Sequence, residues 1–287
     1  MANKNIPADV KDLALFLAKH GPRKVLPTPR RVRFSFNGAF VADTDCALHV
    51  WEHEYYPQFY LPREAFNVKT EGFKVDLQEG EVLKDSQGLV VGRQCSLTVT
   101  PDGELPGRAK TLTEIVCFSE SLKGPAEALR GYVKVAFAAA DQWFEEDTPI
   151  FVHPKDPFKR IDTLQSNRPI RISLDGTVLA ESTTSVHLLE TSLPTRYYIP
   201  LSSINAAFLR PSDTRSLCPY KGEAQYHDIV LPGGKVFKDL VWYYTRPTSE
   251  SVGVVNLRCF YNEKVDIEIT DAKGLWKRLE RPVTHFA

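Results

Sequence analysis

Residues 31–62 read RVRFSFNGAFVADTDCALHVWEHEYYPQFYLP, and residues 169–200 read PIRISLDGTVLAESTTSVHLLETSLPTRYYIP; at a constant offset of 138 they align without a gap. Arg33 meets Arg171, Gly38 meets Gly176, His49 meets His187, Glu52 meets Glu190, Tyr60 meets Tyr198 and Pro62 meets Pro200. Repetition at a fixed spacing takes precedence over local propensity, because it sets how many units the chain folds into. In each copy apolar and polar residues alternate around Asn37-Gly38 or Asp175-Gly176, dipeptides that tolerate the positive φ angles of a tight hairpin turn. The text predicts strand, turn, strand, short connection, strand, then an extended segment halted by proline. The expected class is mainly β, with two tandem antiparallel β-rich modules, a few short helices and one N-terminal helix.

Outside the repeats, Val10, Leu13, Phe16 and Leu17 fall on one helical face, Asp9 can cap its start and Gly21-Pro22 stops it. Short helical pieces are expected around Pro125–Leu129 and from Ser202 or Ser203 to Leu209. The boundaries expected are an N-terminal helix and linker over 1–25, a degenerate first repeat over 26–147, a connecting strap over 148–168, a complete second repeat over 169–275 and a tail over 276–287. Both copies end alike, Gly131–Phe137 resembling Gly253–Phe260 with one residue's slip. Between their ends they diverge. Only the second carries Cys218-Pro-Tyr-Lys-Gly222 and Trp242-Tyr-Tyr-Thr-Arg-Pro247; the first has Cys95-Ser-Leu-Thr-Val and Ile115-Val-Cys-Phe-Ser in those places. A site held by one copy is therefore expected in the second.

Charge and composition narrow the functional classes. With 36 basic and 36 acidic side chains the net charge is zero, so no overall field draws the chain to nucleic acid or anionic lipid. The cluster Arg23, Lys24, Arg30, Arg31 and Arg33 is broken by prolines and reads as a solvated linker. Five cysteines, odd in number and never arranged as CxxC, suggest neither a disulfide framework nor a zinc site. The N-terminus shows no targeting pattern and no run is long enough to span a membrane, so a cytoplasmic protein is expected, a monomer with a repeat–repeat interface or a homodimer.

The combination Glu190, Tyr197-Tyr198-Ile-Pro200, Pro211-Ser-Asp-Thr214, Cys218-Pro-Tyr-Lys-Gly222, Tyr226 and Trp242-Tyr-Tyr244 resembles the family catalogued as domain of unknown function 427. The resemblance covers residues 168–270 closely, and Trp143-Phe-Glu-Glu146 with His153-Pro-Lys-Asp-Pro157 is similar to its longer, tandem members. It implies a compact, tent-like antiparallel β fold with a pocket between its sheets. It implies no established chemistry, although the family has carried a provisional nucleotidyltransferase label. That label fits the residues poorly. Nucleotidyl transfer needs carboxylates gathered on magnesium and a loop to hold the triphosphate. The one DxD, Asp43-Thr44-Asp45, faces Glu181-Ser182-Thr183 in the other copy, reads as a solvated turn and follows no phosphate loop. No metal site and no cofactor are expected.

The residues left with chemistry are Lys221, Glu190 and His153 as acid–base candidates, and Arg196, Tyr198, Tyr220, Tyr226, Trp242 and Tyr244 as walls of a substrate site. A lysine at a pocket mouth can serve as a base, form a Schiff base or hold an enolate; it can equally pair with Glu190 to fix the turn. Glu190, on an otherwise apolar strand, needs a partner if buried, and Lys221, Arg196 or a tyrosine could supply it. Glu52 in the first copy favours a structural lock at this position, and His49 and His187 read as packed strand histidines. His153 belongs to a connector rich in ionisable groups, which reads either as a proton-transfer element or as a salt-bridged strap. Three functions stand: an enzyme moving protons on a small, aromatic or polyketide-like metabolite (isomerisation, cyclisation, dehydration or hydrolysis), a non-catalytic small-molecule binder, or a protein-interaction scaffold.

Overall fold

In a computed structural model of the chain, residues 6–103 and 107–283 are described. The chain divides between Asp156 and Pro157, inside the expected strap, into two compact units. Helix α1 (Val10–His20) opens the first. Asp9 caps it by accepting hydrogen bonds from the Lys11 and Asp12 backbone N–H groups at 2.9 and 3.1 Å, and Gly21 closes it by donating to the Leu17 carbonyl. Then follow β1 (Lys24–Pro27), β2 (Val32–Phe36), β3 (Ala39–Thr44), β4 (Leu48–Trp51), β5 (Gln58–Pro62), β6 (Phe73–Lys84), β7 (Val90–Pro101), β8 (Lys110–Phe118), β9 (Tyr132–Val135), β10 (Gln142–Glu145) and β11 (Thr148–Ile150).

The second unit holds β12 (Ile161–Ser166), β13 (Ile170–Leu174), β14 (Thr177–Ser182), β15 (Ser185–Glu190), β16 (Arg196–Ile199), β17 (Leu209–Cys218), β18 (Gly222–Val230), β19 (Val236–Tyr244), β20 (Arg258–Phe260), β21 (Asp266–Thr270) and β22 (Trp276–Arg278). Each unit folds into one seven-stranded and one four-stranded sheet. The large sheets run β1-β4-β5-β9-β8-β7-β6 and β12-β15-β16-β20-β19-β18-β17, and the small ones β11-β10-β2-β3 and β14-β13-β21-β22. The orders correspond strand for strand, which bears out the duplication, and every pairing between these strands is antiparallel. The β2–β3 and β13–β14 hairpins turn at Asn37-Gly38 and Asp175-Gly176, with φ of 51° and 80°, and 48° and 78°.

Four boundaries differ from expectation, each because a sheet edge recruits flanking chain. Lys24–Pro27, expected to straddle the end of the linker and the start of the first repeat, is edge strand β1, and Ile161–Ser166, expected in the strap, is the equivalent edge strand β12. The expected tail contributes β22, which pairs with β21. The helix expected up to Leu209 is two 3-10 turns, Leu201–Ser203 and Ala206–Phe208, because Ile204 between them bridges to Ala180. The piece at Gly124–Leu129 is likewise a 3-10 helix. The basic cluster is no loose linker: Arg30 pairs with Glu145 at 2.5 Å, Arg31 with Asp43, and Arg33 with Asp147 at 2.5 Å. Asp43 of the DxD is thus committed to an arginine.

Strand alternation gives the large sheet of the second unit two distinct faces. Ile199, Val241 and Phe260 point to the core shared with Ile170, Ile172, Ile267 and Ile269 of the small sheet. Their neighbours Tyr198, Trp242 and Cys259 point the opposite way, with Val186, Leu188, Ala224, Tyr226 and Tyr244. In the first unit the corresponding outer face carries Leu48, Val50, Tyr60, Val116 and Phe118, and Val10, Leu13, Ala14 and Leu17 of α1 pack onto it. Close strand packing in that unit also depends on Gly92, where a Cβ would fall 2.5 Å from the Cys117 carbonyl oxygen. Gly92→Ala is expected to destabilise the protein by roughly 1–3 kcal/mol through overpacking, read by urea unfolding. An unchanged midpoint would show that β7 and β8 can part without cost.

Candidate functional site

The outer face of the second unit's large sheet is not closed over as its counterpart is. β15 delivers Leu188 and Glu190, β16 delivers Arg196 and Tyr198, β18 delivers Tyr226, and β19 delivers Trp242 and Tyr244. Leu193 and Pro194 come from the β15–β16 turn, which the Leu193 N–H fastens by donating to the Glu190 carbonyl at 3.0 Å. With Lys221 and Tyr261 these groups line a cavity of about 190 Å³. It lies on the face turned away from the small sheet, not between the sheets as the resemblance implies. A cleft of about 430 Å³ does open between the sheets, beside Tyr197, Asn262, Ile267 and Leu279, and it contains none of the acid–base candidates.

Lys221 is aimed by its turn. Gly222 has φ +95°, and a Cβ there would lie 3.0 Å from the Arg246 carbonyl oxygen, so the chain can double back only with glycine. The Thr248 N–H donates to the Lys221 carbonyl at 3.2 Å, while the Thr248 and Ser251 hydroxyls donate to the Tyr220 carbonyl. Thus anchored, the ammonium of Lys221 donates to the carboxylate of Glu190, whose side chain is 5% exposed. Arg196, which the register sets across from Leu188, makes a two-pronged ion pair with Glu263 at 2.8 and 2.7 Å and lies 5.5 Å from the Trp242 ring centre. The Trp242 indole N–H donates to the Tyr198 hydroxyl at 3.0 Å. Tyr226 shares a 2.6 Å hydrogen bond with Ser216. Burial pushes the pKa of Tyr198, Tyr244 and Tyr261 well up, so all three remain protonated phenols.

Of the acid–base candidates, Lys221 and Glu190 come together and His153 does not join them at this cavity. His153 lies in the first unit, stacked on Tyr56 at 3.8 Å, its Nδ1 donating to the Pro154 carbonyl at 2.7 Å. Arg196, Tyr198, Tyr226, Trp242 and Tyr244 all line the cavity, whereas Tyr220 is buried behind the turn with Lys159 over its ring at 5.4 Å. Glu263 and Tyr261 were not foreseen. The available signal was Arg196 itself, since a buried guanidinium on a strand demands a carboxylate.

The first unit treats the position equivalent to Glu190 differently. Its register places Lys134 opposite Tyr60, just as Cys259 lies opposite Tyr198. Val135, not Phe137, is therefore the counterpart of Phe260, which corrects the alignment of the copies' ends. Glu52, the counterpart of Glu190, accepts from the Tyr60 hydroxyl at 2.9 Å and pairs with Lys134 at 2.9 Å. Both side chains of that pair are less than a tenth exposed.

A sequence model of the family described as domain of unknown function (DUF427) matches residues 24–74 and 162–271, together more than half of the chain. The first segment runs from β1 to the start of β6, and the second from β12 to just past β21. No curated protein matches the chain. No helix among the described residues is long and apolar enough to cross a membrane.

Proposed function

The chain belongs to the domain of unknown function 427 family, and from that premise, which brings no reaction with it, we propose that the second unit is a cofactor-independent enzyme moving protons on a small cytoplasmic metabolite. The observation that carries the reading is the contrast between two equivalent glutamates. Glu52 has two side-chain partners, Tyr60 and Lys134, both on one carboxylate oxygen. Glu190 has Lys221 as its one side-chain partner among the described residues and borders an aromatic cavity. A lock needs no cavity, whereas a base needs an acceptor oxygen within reach of a substrate.

In this reading Glu190 takes the proton from a carbon beside a carbonyl. The ammonium of Lys221, and the phenols of Tyr198 and Tyr244, lie where they can stabilise the developing enolate oxygen. Trp242 and Tyr226 hold the ring by their faces. Arg196, engaged by Glu263, keeps the far wall rigid and does not take part in the chemistry. The five free cysteines, three of them buried, suit a reducing compartment.

The test is exchange of the α-protons of small cyclic ketones such as cyclohexanone in D2O, followed by NMR. The protein is expected to accelerate exchange, and Glu190→Gln to slow it about 100-fold or more while ketone binding changes by only a few-fold. Lys221→Met is expected to lose exchange in the same way. Ketone binding with no exchange above the buffer rate would make the site a binding module instead.

A further inference from the structure

We infer that the ligand of this cavity is an uncharged molecule of one ring that presents an acceptor oxygen, and that carboxylated or phosphorylated molecules are rejected. The inference rests on the cavity being the ligand site, not on the reaction run there. Size is the first constraint. A cavity of about 190 Å³ is little larger than the ~150 Å³ void that accommodates benzene, and falls below the roughly 300 Å³ at which sites for drug-sized ligands begin. A nucleotide is too large to be enclosed by it.

Charge is the second. The groups around the cavity are two cations and two anions, and they are already paired: Lys221 with Glu190, and Arg196 through both terminal nitrogens with Glu263. Lys221 keeps N–H groups to donate, but an incoming carboxylate would bring a further buried negative charge beside Glu190 and Glu263, whose charges the two cations already balance. A neutral ring meets no such obstacle.

Hydrogen bonding is the third. Tyr198, Tyr244 and Tyr261 stay protonated, and Tyr198 already accepts from Trp242, which leaves its own O–H to donate. With the ammonium of Lys221 the polar surface of the cavity is rich in donors. A carbonyl or ring oxygen satisfies them, and a plain hydrocarbon leaves them unpaired.

Three probes of one shape separate these constraints at neutral pH: acetophenone, benzoate and ethylbenzene. Each is titrated into the full chain and followed by proton–nitrogen correlation NMR, with the Trp242 indole N–H signal, identified by its loss in Trp242→Phe, as the local reporter. Acetophenone is expected to shift that signal and to bind at least ten-fold more tightly than either of the others. Benzoate binding as tightly as acetophenone, ethylbenzene doing so, or no probe moving the Trp242 signal would overturn the inference. The two readings fail separately. Benzoate preferred, with Glu190→Gln still abolishing exchange, sinks the ligand class and leaves the acid–base proposal standing; acetophenone preferred, with no exchange, does the reverse.

Discussion

Lys134→Met in the first unit is expected to cost about 3–5 kcal/mol of stability, the usual consequence of leaving one member of a buried ion pair without its partner. Lys134 and Glu52 are among the most buried charged residues of the chain. Without the ammonium, Glu52 would keep only the hydrogen bond from Tyr60, too little to offset a desolvated carboxylate. The double variant Lys134→Met/Glu52→Leu removes both charges and is expected to recover most of the loss. Urea unfolding of the single and double variants measures the coupling. Lys221→Met, by contrast, is expected to cost less than half as much: the Glu190 side chain is 5% exposed against 9% for Glu52, but removing the Lys221 ammonium would open it to the adjoining cavity. Equal costs at the two sites would mean that Glu190 is as closed a lock as Glu52, and the case for its acting as a base would fall.

That contrast was only partly legible in the sequence. The duplicated text located both glutamates and both tyrosines, because strand and turn chemistry repeat at one offset, and the aromatic triplet at Trp242 marked the copy that keeps a cavity. Lys134 was invisible as the first copy's substitute for Lys221. It comes from a different strand, and the likeness between the copies' ends aligned that strand two residues away from its true register. No local pattern reveals which of two neighbouring registers a short strand such as β9 adopts; contacts across the sheet decide it. Glu263 escaped notice for a similar reason, since it follows β20 in a loop whose path depends on Arg196. The edge strands β1 and β12 do not stand out in the sequence because four to six residues with prolines or charges carry little periodic signal, and only the exposed edge of a sheet recruits them. His153 attracted attention through the ionisable residues around it, yet it is held against Tyr56 in the other unit.

Acidification below pH 6.5 is expected to weaken the fold through His49. His49 stands on β4, on the face opposite Leu48 and Val50, with its ring 5.1 Å from that of Phe59 and its Nε2 buried without a hydrogen-bond partner. Burial, reinforced by the positive charge of Arg30 and opposed by Asp156, lowers its pKa from 6.5 to about 4. Below pH 6.5 the unfolded chain therefore binds a proton that the folded chain does not, so stability falls as the pH drops through this window and levels off below about 4. At about 1.4 kcal/mol per pH unit, the gap corresponds to roughly 3 kcal/mol. His49→Leu removes the titrating group and the unpartnered nitrogen together, and is expected to flatten the stability profile between pH 6.5 and 4. His187, its counterpart, also has a lowered pKa through burial and the charge of Arg168, but it is more exposed and donates to or accepts from Ser185, so His187→Leu should flatten the profile less. A profile unchanged by His49→Leu would show that the acid limb belongs to other groups, the half-buried His53, His187 and His227 or the carboxylates. With the flattening seen, the histidine common to both repeats is a neutral packing element of the sheet, which leaves the proposed acid–base role with Glu190.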